Sequence, residues 1–71
     1  MSPRKGRVRN NIHDLRTARG LSQGALADRV GATRQTINAI EQQKYSPSLE
    51  LAFRIALAFD VAFEDVWKFK A

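Results

Sequence analysis

The stretch Ser22–Glu41, SQGALADRVGATRQTINAIE, constrains the fold of this chain more than any other. Ser22 is an N-cap residue placed just before Leu26, Ala27 and Val30, which recur at helical spacing. Gly31 stops that helix, because glycine takes the left-handed conformation that such a stop requires. Thr33 is a second N-cap, and Ile37 and Ile40 supply the next apolar stripe. A link this short, containing a glycine, makes two helices cross steeply. Ala27 is small where they must touch, and a larger residue there would push them apart.

Composition narrows the class. A chain of 71 residues is one small domain, and 44% apolar content is enough for a compact bundle of marginal stability. A net charge of +5 favours a polyanionic partner such as nucleic acid. With no cysteine there is no disulfide framework and no thiolate metal site, which fits a reducing cytoplasm. No apolar run is long enough to span a bilayer, and the first residues lack a signal-peptide core. The expectation is a soluble cytoplasmic protein that needs no cofactor.

The segment from Ser22 to Val61, with its Ala27, Gly31 and Ile37 spacing, closely resembles the helix-turn-helix of phage Cro and repressor proteins. It is similar to the Cro/C1-type (XRE) regulators, nearest to short single-domain members such as the cytolysin-operon repressor. The resemblance runs from about Asn11 to Trp67. It implies a mainly α, five-helix, lambda-repressor-like DNA-binding bundle with a short antiparallel strand pair joining the termini. Residues 1–9 would form a basic arm or strand, 10–67 the DNA-binding domain with its motif at about 22–42, and 67–71 a terminal strand.

Taken in order, Met1–Arg9 carries four of the 12 basic residues and reads equally as a solvated tail or as a phosphate- or minor-groove-seeking arm. Arg7-Val8-Arg9 alternates as a strand does, and so does its obvious mate Trp67-Lys68-Phe69-Lys70. Helix 1 is expected from about Asn11 to Arg19, with Asn10 or Asn11 as cap, Gly20 closing it, and Ile12, Leu15 and Ala18 facing inward. Arg16 lies beside that stripe, and the resemblance implies a structural Arg16–Glu41 bridge. His13 stands without a second histidine or a cysteine, so it reads as a surface residue and no metal is expected.

Helix 2 spans Gln23–Val30. Gly24 costs it up to roughly 1 kcal/mol relative to alanine, less near the helix start, and leaves room for a phosphate. By resemblance Gln23 touches the DNA backbone and sometimes a base. Helix 3, Arg34–Gln42, is the expected reader. Arg34 can donate twice to guanine and Gln35 can pair bidentately with adenine, while Thr36 and Asn38 suit phosphate or a flanking base. Ala39 occupies a position where relatives often carry a longer reader. Lys44 suits a phosphate; Tyr45 reads equally as a phosphate ligand and as a cover for the core. The DNA-contacting set is thus Gln23, Thr33, Arg34, Gln35, Thr36, Asn38, Gln42, Lys44 and Tyr45.

Ser46-Pro47-Ser48 announces helix 4, expected from about Leu49 to Phe59, with Ser48 the preferred cap and Ser46 the alternative, and its Ala52, Ile55 and Phe59 project toward the core. Phe53 and Leu57 fall outside that stripe, and a helix apolar on two sides needs two surfaces to bury against. Together with Phe63 and Trp67 they form the expected dimer interface, although the terminal strand pair could instead bury Phe63, Trp67 and Phe69 within one chain. Asp60 stands where relatives usually have glycine and Ala62 where they often have a capping serine, so helix 5 is short, Phe63 to Val66 or Trp67.

The function implied is a sequence-specific regulator of transcription that binds double-stranded DNA, as a homodimeric repressor. Two rivals remain: a nonspecific architectural DNA-binding protein using charge alone, and a protein-interaction module such as an antitoxin or bridging factor. One histidine, no cysteine, no phosphate loop and no cleft-forming pair of acids argue against an enzyme, and no catalytic residue is expected.

Overall fold

The computed structural model describes residues 6–70. Its elements follow in the order β1 (Arg7–Asn10), α1 (Ile12–Ala18), α2 (Gln23–Val30), α3 (Arg34–Glu41), α4 (Leu49–Phe59), α5 (Phe63–Val66) and β2 (Trp67–Lys70). The expected mainly α architecture of five helices and a terminal strand pair is therefore the one observed among the described residues. Met1–Lys5, most of the expected basic arm, lie outside them.

The caps explain the boundaries. Ser22, Thr33 and Ser48 each take extended backbone, and each hydroxyl accepts from the amide three residues on, at Ala25, Thr36 and Leu51. Each such bond satisfies one of the amides a helix start leaves without a partner. Gly31 closes α2 at φ 73°, in the left-handed region. Asp60 closes α4 at φ 57° without the freedom of glycine. Helix α5 has no hydroxyl at Ala62, but the Asp65 carboxylate reaches back to accept from the Ala62 amide at 3.1 Å.

Helix α1 departs in detail from expectation. Asn11 is its N-cap by backbone, yet its side chain does not cap. Its Nδ2 donates to the Asp65 carbonyl at 3.0 Å, while Asn10 Oδ1 accepts from the Ile12 amide at 3.1 Å. Ala18 is exposed rather than inward-facing, because the helix ends there and Leu21 fills the space instead. Arg19 clamps the end of α1 onto α4, donating to the Phe59 carbonyl at 3.1 Å with its guanidinium 5.3 Å from the Phe59 ring centre.

One core unites these elements. Ile12, Leu26, Ile37, Ile55 and Val66 are fully buried, with Val30, Ile40 and Phe59 beside them. Ala27 is buried between α2 and α3, as its size requires. The strands pair antiparallel with Val8 opposite Phe69, Arg9 opposite Lys68 and Asn10 opposite Trp67. Alternation then puts Val8, Asn10, Trp67 and Phe69 on one face and Arg7, Arg9 and Lys68 on the other.

Trp67 corrects its assignment to a dimer surface. It is 7% exposed within the single chain, and its indole N–H donates to the Ala52 carbonyl at 3.1 Å. A buried tryptophan needs such an acceptor, and α4 supplies it.

The two helix ends should respond oppositely to substitution. Gly31→Ala forces a Cβ into left-handed backbone and should cost about 1–2 kcal/mol, whereas Asp60→Gly should gain up to about 1 kcal/mol. Urea denaturation of both variants checks this.

Candidate nucleic-acid interface

The polar face of α3 is positioned from beneath. Ile37 and Ile40 are buried, so Arg34, Gln35 and Asn38 are turned out to solvent with Thr36 and Ala39 half-buried at the margins. Gln42 and Lys44, just beyond the helix, are exposed as well. Arg34, Gln35 and Lys44 have no side-chain hydrogen bond within the described residues, which leaves their donors available. Thr33 and Thr36 are partly committed: their hydroxyls lie 2.9 Å apart, and Thr33 Oγ1 also accepts from the Thr36 amide. Only one hydroxyl proton of that pair is left for an outside acceptor. Gly24 lies close by, and a Cβ there would meet Arg34 Cδ at 4.0 Å, an ordinary contact.

Tyr45 is 53% exposed on the edge of a pocket with Asn10, Pro47 and Trp67, outside the core and the residues packed against it. The chain reaches it through Gln43, a non-glycine residue at φ 61°. That left-handed residue was not anticipated from the sequence, where no glycine marks the turn.

Beneath the face, Arg16 and Glu41 form the expected pair. Arg16 Nε donates to Glu41 Oε2 at 2.8 Å and Nη2 to Oε1 at 3.1 Å, while Nη1 donates to the Leu21 carbonyl at 3.0 Å. Both side chains are nearly nine-tenths buried or more, at 11% and 8% exposure. Burial alone would push the Glu41 carboxyl up. Hydrogen bonds from Arg16 and Gln23, with the Arg16 charge, outweigh burial and hold it below its ordinary value. The hydrogen bond to Glu41 in turn raises the Arg16 guanidinium. His13 sits at the rim of the pair on the surface, with Nδ1 3.1 Å from Arg16 Nη2.

This pair leads outward to the polar face. Gln23 Nε2 donates to Glu41 Oε1 at 3.3 Å and to Asn38 Oδ1 at 3.2 Å. Gln42 Nε2 donates to the same Asn38 oxygen at 3.2 Å. Three residues expected to contact DNA singly are therefore linked to one another. No sequence pattern reports this link, since Gln23 and Asn38 meet only because the turn folds α2 against α3.

A second exposed surface lies away from α3. Leu49, Phe53 and Leu57 are 68%, 48% and 76% exposed, and their i, i+4, i+8 spacing makes one ridge along α4. Phe63 is half-buried against it, its ring centre 4.7 Å from that of Phe53. Beside them runs an apolar groove lined in part by Val8, Leu49, Phe63 and Phe69. Leu49 was overlooked in the sequence, although its spacing from Phe53 and Leu57 carries the signal.

Two capped helices joined by a short turn, with an exposed polar face on the second, define a helix-turn-helix DNA-binding domain. Residues 12–66 match the helix-turn-helix family model, and the chain belongs to this Cro/C1-type (XRE) family of transcriptional regulators. It is similar to an uncharacterized HTH-type transcriptional regulator of Methanocaldococcus jannaschii, 47% identical over 60 residues that cover 84% of this chain and 91% of that one. Another such regulator, from Methanothermobacter thermautotrophicus, is 57% identical over 51 residues, 72% of this chain and 74% of its own. Among solved structures, the restriction-modification controller protein C.AhdI from Aeromonas hydrophila superposes with a TM-score of 0.72 at 33% identity, covering 76% of this chain and 78% of that one. The protein is a DNA-binding regulator of transcription. No described helix is long and apolar enough to cross a membrane.

Breaking the buried pair on one side should be worse than removing it. Glu41→Leu or Arg16→Leu alone should cost about 3 kcal/mol, and the double variant clearly less than the sum, as measured by chemical denaturation. Because the Glu41 carboxyl is lower in the folded chain than its ordinary value of 4.5, its contribution is present above that value and is lost as pH falls through the folded one. Stability should therefore decline more steeply below about pH 5 for the wild type than for Glu41→Gln.

Proposed function

We propose that the protein is a sequence-specific, homodimeric repressor that sets α3 of each subunit into a major groove of its operator. The observation that carries this reading is the exposed start of α3, where Arg34 and Gln35 make no side-chain hydrogen bond among the described residues, above a fully buried Ile37. Arg34 presents a fork matched to guanine O6 and N7, and Gln35 a donor–acceptor pair matched to adenine. Thr33, Thr36 and Lys44 suit phosphate oxygens, and the missing side chain at Gly24 lets a backbone phosphate come near the start of α2. Arg7 and Arg9 add positive charge on the outer face of the strand pair.

The dimer reading rests on the α4 ridge. Leu49, Phe53 and Leu57 with Phe63 give a contiguous apolar surface that a monomer leaves in water. In a two-fold dimer reading consecutive major grooves, the two half-sites would lie about one turn of DNA, roughly 34 Å, apart. The same ridge also fits a different protein partner, which is the rival reading. A protein of this class acts where DNA is, and we place it in the cytoplasm, with no cofactor.

Selection of bound duplexes from a random pool at near-physiological salt tests the reading. A two-fold symmetric consensus supports it; binding without enrichment defeats it. Arg34→Ala should lose about 1–3 kcal/mol on the selected site and relax one base position, whereas Lys44→Ala should weaken all duplexes alike and flatten the salt dependence. Leu57→Lys, at a 76% exposed site, should leave the fold intact and give a monomer in sedimentation equilibrium. A wild-type monomer in that measurement would favour a separate protein partner for the ridge.

A further inference from the structure

The geometry points to Glu41 as the residue that sets the donor and acceptor polarity of the reading face: through Gln23 it makes Asn38 a pure donor toward DNA. This rests on the groove-reading role of α3 and specifies its code. A carboxylate bonded to Arg16 only accepts hydrogen bonds, so the side-chain group that Gln23 turns to Glu41 must be its NH2. The second proton of that NH2 goes to Asn38 Oδ1, which also accepts from Gln42 Nε2. Both lone pairs of the Asn38 oxygen are then occupied. Only Nδ2 is left, on an exposed side chain, and it has no partner within the described residues.

Gln23 is left with the opposite sign. Both of its amide protons are engaged, so its free atom is Oε1, an acceptor. An acceptor faces a phosphate oxygen unfavourably, so the Gln23 side chain is matched to an amino group rather than to the DNA backbone, which its own main-chain amide can still meet at the start of α2. An isolated asparagine reads adenine by offering donor and acceptor together. Asn38 has lost the acceptor half of that pairing. It is best matched to guanine O6 and N7 or to thymine O4, meets adenine only through the single acceptor N7 beside the N6 donor, and disfavours cytosine, whose major-groove edge offers only a donor.

Two experiments test this, one without DNA. In the free protein, NMR signals of the Gln23 side-chain NH2 should shift with the midpoint of the Glu41 carboxyl as pH is lowered, while those of Gln35 stay in place. Gln23 signals indifferent to Glu41 protonation would overturn the proposal. In the second, duplexes are selected from a random pool by the wild type and by Asn38→Asp. That substitution keeps an oxygen for Gln23 and Gln42 but turns an acceptor outward. One half-site position should change from thymine or guanine to cytosine or adenine, with a change in relative affinity on the order of tenfold. A wild-type choice of adenine there, or a uniform loss of affinity with unchanged base choice, would overturn the assignment. A wild type that enriches no sequence defeats the groove reading itself, and the NMR result then still decides whether Glu41 orients the amides.

Discussion

A buried carboxylate is the constraint on which this small domain turns. Glu41 lies at the end of the recognition helix, 8% exposed, where it would be untenable without a partner. Arg16 reaches it from α1 with two parallel hydrogen bonds and uses a third donor on the Leu21 carbonyl. One guanidinium thus fixes the end of α3, the exit of α1 and the approach to α2. The apolar core decides that these helices pack, but apolar contact tolerates sliding and rotation. The planar fork of Arg16 does not, so it fixes the angle at which α3 presents its outer side.

Stability and recognition consequently share atoms. The Glu41 oxygen that receives Arg16 Nη2 also receives Gln23, and Gln23 passes the orientation on to Asn38. Ordering these side chains before DNA arrives lowers the entropy lost on binding, because their rotamers are already fixed. Arg34, Gln35 and Lys44 are different. They make no side-chain hydrogen bond among the described residues, and contact with DNA must order them. The face therefore combines a preset half, near α2, with an adaptable half at the start of α3.

Much of this was legible in the sequence because it rests on local chemistry. Ser22, Thr33 and Ser48 announce helix starts through hydroxyls that act within three residues, and Gly31 announces a stop through its own backbone. The Ala52, Ile55 and Phe59 stripe follows from helical period alone. What escaped depends on chain segments far apart. Asn10 and Asn11 read as caps, but Asn11 bonds Asp65 and Asn10 also bonds Ile40, partners that only the closed fold supplies. Ala18 satisfied the period yet lies past the point where α1 meets the core. Trp67 was ambiguous because burial of an aromatic at a strand start depends on α4 offering the Ala52 carbonyl. The Arg16–Glu41 pair came from family resemblance, since no local pattern joins residues on α1 and α3.

The strand pair has a kinetic meaning as well as a structural one. Helices α2 and α3 meet through a short turn and can dock early, at little cost in loop closure. Strands β1 and β2, by contrast, join the two extremes of the described chain, with Val8 opposite Phe69. Such a contact is the most expensive in chain entropy and forms efficiently only after the helices have drawn the ends together. The sheet therefore depends on the packed helices to bring its strands together. Trp67, at the start of β2 and buried against α4, ties that long-range closure to the core.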